Sequence, residues 1–144
     1  MRAILRVLCV LALVGTATAA FSQQYYGNGG VRRVIKYRIL PGKTGEFYKW
    51  LSSFPKVMEA EKQAGVIEGY SVMHSTEFVG PDKYDIVLVI SYKDMAAMDT
   101  APEKSGPISE KIFGGAEART AYFNQGAQYY EVVSSELVRE IHLK

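Results

Sequence analysis

The stretch Lys83-Tyr-Asp-Ile-Val-Leu-Val-Ile-Ser-Tyr92 decides the fold, because it is an unbroken run of residues that favour β-structure. It is far shorter than the roughly 20 residues that cross a membrane as a helix. Both of its faces are apolar. They carry Tyr84, Ile86, Leu88, Ile90 and Tyr92 on one side and Val87 and Val89 on the other. We therefore expect a central strand with a covering layer on each face.

Two further extended segments precede this strand. Val66 to Phe78 leads into it through the turn residues Gly80-Pro81-Asp82, which predicts two neighbouring antiparallel strands. Val31 to Leu40 is the first strand, with an apolar face and a face that bears three cations. These cations are Arg32, Lys36 and Arg38. The cationic face is expected either to meet water or to line a polar cavity.

A helical pattern lies between the first two strands. Its apolar stripe recurs at steps of four, three and four residues: Phe47, Leu51, Phe54 and Met58. The stripe predicts one helix from Thr44 to Ala64, kinked but unbroken at Pro55. Gly65 is expected to end it.

The segment after the central strand is less regular. Asp94 is a helix cap, and Pro102, Gly106-Pro107 and Gly114-Gly115 then divide a weak apolar pattern, which predicts two or three short helices. The last strand is predicted at residues 128–133, with a second extended piece out to His142.

The first 20 residues have the pattern of a cleaved secretory signal peptide. Arg2 and Arg6 precede an apolar run that ends at Val14, and small residues follow it up to Ala20. A membrane anchor would need a longer apolar run, and lipid attachment at Cys9 is disfavoured because apolar residues continue after it. We predict export to the periplasm or the extracellular space, a flexible lead-in at residues 21–30, and one domain at residues 31–144.

The exported chain is predicted to be formally neutral. The whole sequence has 17 Lys and Arg against 15 Asp and Glu, and the signal removes two arginines, which leaves 15 against 15. Nucleic acids and anionic membranes attract proteins through an excess of basic charge, so neither is a predicted partner after cleavage. Cys9 is the one cysteine of the sequence, so the exported domain is expected to have no disulfide and no thiolate nucleophile.

Motifs for metals and nucleotides are missing from the sequence. His74 and His142 are its two histidines, and they make no spaced cluster of metal ligands. The glycines at positions 27, 29 and 30 precede a strand instead of following one, so they are not a dinucleotide fingerprint. We therefore predict no metal and no cofactor.

The element order strand, helix, strand, strand, helix, strand is the split βαββαβ order of ferredoxin-like folds. Two joints add to the pattern. They are Ala64-Gly65-Val66-Ile67-Glu68-Gly69-Tyr70 and Ser91-Tyr92-Lys93-Asp94-Met95-Ala96-Ala97-Met98. Over residues 31–133 the chain resembles the dimeric α+β barrel superfamily, in particular its NIPSNAP or antibiotic-biosynthesis-monooxygenase type. The resemblance implies an antiparallel four-stranded sheet with helices on one face, which dimerises through the other face.

Members of that superfamily include cofactor-independent monooxygenases, lactone isomerases, haem enzymes and proteins without an assigned activity. The resemblance therefore predicts the fold better than the activity. Haem proteins of this kind take their axial histidine from the helical layer, and the helices predicted here contain no histidine. Haem is not expected.

The candidate ligand-binding residues are side chains of the predicted strands: Tyr37, Arg38, Tyr70, His74 and Tyr92. Aromatic walls with a few polar groups are typical of small-molecule pockets, although core packing and dimer contact are the more frequent roles of tyrosines. Trp50, Tyr84 and Lys36 are further candidates for such a lining. Tyr70 and His74 share a strand face and are the weak catalytic candidates, because an imidazole titrates near neutral pH.

Two functions follow from these features. The first is a homodimeric binding or accessory protein whose ligand is a small aromatic molecule. The alternative is a cofactor-independent monooxygenase or isomerase that acts on an aromatic or quinone-like substrate. The alternative predicts that His74→Ala or Tyr70→Phe abolishes activity in a protein that stays folded and dimeric. The sequence leaves open whether the protein is an enzyme.

Overall fold

A computed structural model describes residues 26–77 and 79–144. The strands are β1 (Tyr26–Ile39), β2 (Gly69–His74), β3 (Ile86–Tyr92) and β4 (Tyr130–Leu143). The helices are α1 (Thr44–Leu51), α2 (Phe54–Gln63), α3 (Met95–Phe113) and α4 (Ala116–Gly126). The predicted signal peptide and the first half of the predicted lead-in lie outside the described residues, and β1 begins within the second half.

The chain divides into two compact units. The larger one, Gly30–Arg139, contains the four described helices and most of the sheet. The smaller one includes Gly29 and Glu140–Lys144. Within it, Gly29 lies so close to Glu140 and His142 that a side chain at position 29 would contact both.

The four strands form one sheet in the order β2-β3-β1-β4. Strand β3 pairs with β1 and β2 in antiparallel fashion, with Val31 opposite Tyr92 and Tyr70 opposite Ile90. Strand β4 lies at the other edge, where the Leu40 N–H donates a hydrogen bond of 2.9 Å to the Tyr129 carbonyl. This sheet with its helices confirms the predicted ferredoxin-like α+β fold.

The core lies between the helices and one face of the sheet. Its most deeply buried large side chains are Phe47, Ile86 and Val31. A second buried cluster joins the sheet to α2 and α3: Val57, Met58, Val66, Ile67, Tyr92 and Ala101. Strand β3 lies between β1 and β2. Because side chains alternate along a strand, its even-numbered residues face the helices, and the odd-numbered Val87 and Val89 lie on the opposite face.

The prediction of one unbroken helix from Thr44 to Ala64 is wrong. Helix α1 ends at Leu51, and α2 begins at Phe54 with Pro55 in its first turn. Proline has no N–H, and its ring clashes with the carbonyl four residues earlier, which here belongs to Leu51. The clash falls at the end of α1, so the helix breaks instead of kinking.

The predicted interruption at Pro102 and Pro107 is also wrong, because α3 continues through both residues. A proline inside a helix costs about 3 kcal/mol, and packing of the apolar stripe onto the core offsets this cost. The stripe comprises Met98, Ala101, Ile108 and Ile112.

The predicted break at Gly114-Gly115 is confirmed, since Gly114 has a φ of 90°. The Asp94 cap is confirmed too, because its carboxylate accepts a 2.8 Å hydrogen bond from the Ala97 N–H.

The last strand is longer than predicted. Strand β4 runs from Tyr130 to Leu143 as one element, whereas we expected a strand at residues 128–133 and a separate piece after it. Ser134 and Ser135, which follow the predicted strand, are part of β4, and the Ser134 hydroxyl donates a 3.0 Å hydrogen bond to the Glu136 carboxylate on the same strand. Strand pairing thus overrides the weak local signal.

Candidate functional site

A small cavity lies between the sheet and the α1–α2 segment. The volume that the centre of a water-sized sphere can occupy in this cavity is about 20 Å³. This is room for about one water molecule. The lining is apolar and rich in aromatic side chains: Tyr37, Phe47, Trp50, Leu51, Phe54, Val72, Ile86 and Leu88. The cavity exists because α1 and the start of α2 lie over the helix-facing residues of three strands.

A larger surface hollow lies next to this cavity. It measures about 240 Å³ and is lined by Tyr48, Leu51, Ser52, Phe54, Pro55 and Val72. Leu51, Phe54 and Val72 line both spaces, so these side chains form the boundary between them. The hollow lies at the break between α1 and α2. We call the cavity and the hollow together the apolar pocket.

Few polar atoms of the apolar pocket are free to bind a ligand. The Trp50 indole N–H donates a 2.9 Å hydrogen bond to the Tyr122 carbonyl, and the Ser52 hydroxyl donates one of 2.7 Å to the Lys49 carbonyl. Tyr37 lines the cavity and Tyr48 lines the hollow. Within the part of the chain that the structure describes, neither phenol group has a hydrogen-bond partner. Burial and the neighbouring Tyr130 raise the pKa of Tyr37 to about 12, so this hydroxyl keeps its proton at neutral pH.

A group of packed aromatic rings holds Trp50 in position. The Trp50 ring stacks on Tyr122 with centroids 5.3 Å apart and lies 5.2 Å from Tyr130. Two hydrogen bonds join Trp50 and Tyr122: besides the indole bond described above, the Tyr122 hydroxyl donates to the Trp50 carbonyl at 2.8 Å. Gly126 lies directly against the indole, where any side chain would overlap it. Burial and Tyr130 also raise the pKa of Tyr122 to about 12.

Trp50 also borders a second, polar hollow of about 280 Å³. Its lining includes the charged Glu46 and Lys49 and the uncharged Ser53, Gln125 and Tyr129. The pKa of Glu46 is lowered by a backbone hydrogen bond and by Lys43, whose ammonium is 3.5 Å from the carboxylate. The two hollows beside α1 therefore differ in kind: one is uncharged, and the other has both signs of charge.

The predicted ligand-binding residues lie in several places. Tyr37 lines the apolar pocket. Tyr70 and His74 share the helix-facing side of β2, and Val72 of the pocket lies between them. The Tyr70 ring packs against Phe54 with centroids 6.5 Å apart, and burial followed by Glu59 raises its pKa. His74 is exposed at the end of the strand.

Arg38 and Tyr92 lie outside the apolar pocket. The Arg38 guanidinium donates to the Lys83 carbonyl at 2.8 Å and to the Glu131 carboxylate at 2.5 Å. Tyr92 is a core residue with 7% exposure. Burial is the main cause of its raised pKa; Arg33 acts against that rise and Glu61 adds to it.

Several pocket residues were not among the predicted site residues. Trp50 was a further candidate, but Phe47, Leu51 and Phe54 were predicted only as the apolar stripe of a helix. Val72 and Tyr48 were not singled out. The apolar stripe was the sequence signal for these residues, because a stripe of this kind faces the sheet. The hollow, however, depends on the helix break after Leu51. The helix break was itself mispredicted.

The face of the sheet that points away from the helices, here called the open face, carries an apolar strip. Val34 pairs with Val89, and Val87 pairs with Met73, so the four side chains are neighbours. Met73 is 47% exposed. Two ion pairs border the strip: Lys36–Glu136 at 3.0 Å and Arg38–Glu131 at 2.5 Å.

The described residues contain neither a candidate metal site nor a candidate membrane-spanning helix. Between residues 26 and 144, apart from Phe78, no three His, Cys, Asp or Glu side chains are grouped so that they could hold a metal ion. Over the same residues, no helix is both long and apolar enough to cross a membrane.

The fold and the pocket define a ferredoxin-like α+β protein with an apolar site under its helices. Solved structures share this fold. HapK from Hahella chejuensis is 16% identical, with a TM-score of 0.50 over 76% of this chain and 91% of its own. A NIPSNAP family protein of unknown function from Agrobacterium tumefaciens is 11% identical, with a TM-score of 0.51 over 81% and 90% of the two chains.

A dimeric protein of unknown function and ferredoxin-like fold from Bacteroides fragilis has a TM-score of 0.45 at 16% identity, over 81% of this chain and 98% of its own. No protein-family model and no curated protein matches the sequence. The predicted resemblance is thus confirmed as a likeness of fold.

Proposed function

We propose that the protein is an exported homodimer that binds a small, largely apolar ligand. The apolar pocket carries the proposal. Its aromatic walls and free phenol groups form a concave site of the kind that small molecules occupy. The signal-like segment Met1–Ala20 supports export.

The open face supports association with a second copy of the chain. A central strand that is apolar on both sides is usually covered on both sides, yet the helices cover only one side of β3 in a single chain. The cations of two ion pairs at the border, Lys36 and Arg38, already have carboxylate partners in their own chain. Two open faces could therefore meet around a two-fold axis without a net repulsion between like charges.

Dimerisation is tested by a charge placed at the centre of the open face. Val89→Glu should raise the dissociation constant at least about ten-fold, because an unpaired carboxylate would be buried in the contact. Val79→Glu is the matched control, since Val79 is 91% exposed in the loop before β3. Sedimentation equilibrium at micromolar concentration measures both. A wild-type protein that sediments as a monomer would exclude this dimer.

Export and ligand binding are tested together by native mass spectrometry of protein recovered from the periplasm. We expect a chain that lacks its first 19 or 20 residues, twice the protomer mass, and additional mass from a retained ligand. An intact Met1 on the recovered protein would contradict export. A processed dimer without added mass would leave ligand binding to be tested with added compounds.

The oxygenase or isomerase function stays a prediction. Its candidate residues Tyr70 and His74 lie on either side of Val72, beside the apolar pocket. The described geometry gives them no shared hydrogen bond with a pocket residue, and binding alone accounts for the pocket. We therefore propose binding as the function.

A further inference from the structure

We infer that the apolar pocket selects an uncharged ring compound whose polar group hydrogen-bonds to the Tyr37 hydroxyl. The inference depends on the proposed binding function and specifies its ligand class. It follows from the charges, the free hydroxyl groups and the ring contacts of the pocket.

No Asp, Glu, Lys, Arg or His lines the apolar pocket. The eleven side chains of the cavity and the hollow are aliphatic, aromatic, proline or serine. A ligand carboxylate or ammonium that entered would lose its water without gaining a partner of opposite charge, which is strongly unfavourable. The polar hollow across Trp50 shows the contrast, because Glu46 and Lys49 line it. Charged ligands are therefore excluded from the apolar pocket.

Tyr37 is the cavity-lining residue whose polar group has no hydrogen-bond partner among the described residues. Among the eight residues that line the cavity, the other polar side chain is Trp50, and its N–H is already bonded to the Tyr122 carbonyl. A pKa of about 12 keeps Tyr37 protonated, so its hydroxyl can donate to a ligand carbonyl or accept from a ligand hydroxyl. A ligand polar group in the cavity would otherwise be unpaired, which costs affinity.

The shape of the pocket favours a ring. Phe54, Leu51 and Val72 separate the hollow from the cavity, so a ligand body in the hollow reaches Tyr37 by passing these three side chains. A hollow of about 240 Å³ is slightly smaller than the usual range of ligand sites and suits a molecule of one or two rings. Aromatic walls pack well against ring faces.

Three probes of similar size separate these features: acetophenone, benzoate and toluene. Trp50 is the one tryptophan of the chain, so its indole N–H gives a single side-chain signal in a ¹H–¹⁵N NMR titration. We expect acetophenone to bind at least ten-fold more tightly than benzoate. Tyr37→Phe should weaken acetophenone binding about five-fold, the effect of one hydrogen bond, and leave toluene binding unchanged. Tyr129→Phe, at the polar hollow and outside the apolar pocket, is the control that should leave the preference for acetophenone over benzoate intact.

The outcomes distinguish the inference from the function that it refines. If none of the three probes shifts the Trp50 signal, ligand binding in this pocket is wrong, and the inference falls with it. If benzoate binds as tightly as acetophenone, or if Tyr37→Phe binds acetophenone like the wild type, the pocket binds ligands but the inference is overturned. Should Tyr37→Phe fail to fold, toluene binding as tight as acetophenone binding in the wild type overturns the role of Tyr37.

Discussion

The two faces of the sheet differ in how their apolar side chains are covered. On the helix-covered face, Phe47 and Ile86 are 1% and 2% exposed and pack within a single chain. On the open face, Met73 is 47% exposed, and ion pairs border the valines. The helices of one chain therefore cover only one face of its sheet. The other face is a surface whose stability is expected to depend on association.

Truncation of an apolar side chain should have its largest effect on the helix-covered face. Phe47→Ala removes a ring that lies 5.9 Å from both Trp50 and Tyr130, and such core truncations cost about 3–5 kcal/mol. Met73→Ala on the open face should cost less than about 1 kcal/mol in the monomer. Urea unfolding at low protein concentration measures both. Equal losses would contradict the contrast between the faces.

The same pair also tests the proposed dimer. If a second copy covers the open face, the loss from Met73→Ala grows with protein concentration, because association stabilises the folded wild type. The loss from Phe47→Ala should not depend on concentration in this way.

Close packing on the helix-covered face should make it intolerant of even one added methyl group. Gly126→Ala places a carbon where the Trp50 indole already lies, and overpacking of this kind costs about 1–3 kcal/mol. Gly45→Ala is the matched control, because nothing lies near its new methyl group and alanine favours a helix by about 1 kcal/mol. Thermal unfolding should therefore shift in opposite directions for the two variants. A shift in the same direction would mean that Trp50 can move aside.

The sequence predicted those parts of the fold that depend on local patterns. The unbroken run of β-favouring residues at positions 83–92 identified the central strand, and Gly114-Gly115 identified the end of α3. The prolines misled in both directions: Pro55 breaks the helix that was expected to continue, and Pro102 lies inside one that was expected to stop. Helix propensity gives the free-energy penalty of a proline inside a helix, but tertiary packing decides whether the helix forms in spite of that penalty.

The candidate site was only partly predictable for the same reason. Tyr37 lines the pocket because a tyrosine on the apolar face of this strand points to the helices, and its role as a ligand residue stays a prediction. The sequence could not place Val72 or Phe54 beside it, since their contact joins α2 to β2 across the fold. Tyr92 shows the opposite case. It has the same pattern as Tyr37, yet it lies in the core cluster beside Val57 and Ala101.

A buried carboxyl group on the helix-covered face should make stability depend on pH. Glu61 of α2 is 6% exposed, and burial raises the pKa of its carboxyl above 4.5, although a hydrogen bond with Ser105 acts in the opposite direction. The folded state therefore holds this proton more tightly than the unfolded state. The stability from Glu61 is full below pH 4.5 and is lost as the pH rises through the raised pKa.

Glu61→Gln removes this titration and retains a partner for Ser105. The variant should match the wild type in free energy of unfolding at low pH and exceed it at neutral pH, with the difference developing above pH 4.5. Urea unfolding between pH 4 and pH 8 gives the two curves. Parallel curves would show that the carboxyl of Glu61 is solvated in the folded protein.

The smallest effect is expected from an ion pair of the open face. Lys36 and Glu136 are 3.0 Å apart with side chains 30% and 50% exposed, and exposed pairs of this kind add little to stability. Hydrogen bonds from Lys36 and Ser134 lower the pKa of Glu136, so its small contribution is present above pH 4.5 and is lost as the pH falls through the lowered value. Glu136→Gln should thus leave monomer unfolding nearly unchanged.

In a dimer that covers this face, the same substitution would leave Lys36 buried without its carboxylate, and dimer dissociation should increase. An unchanged dissociation constant would place Lys36 outside the contact.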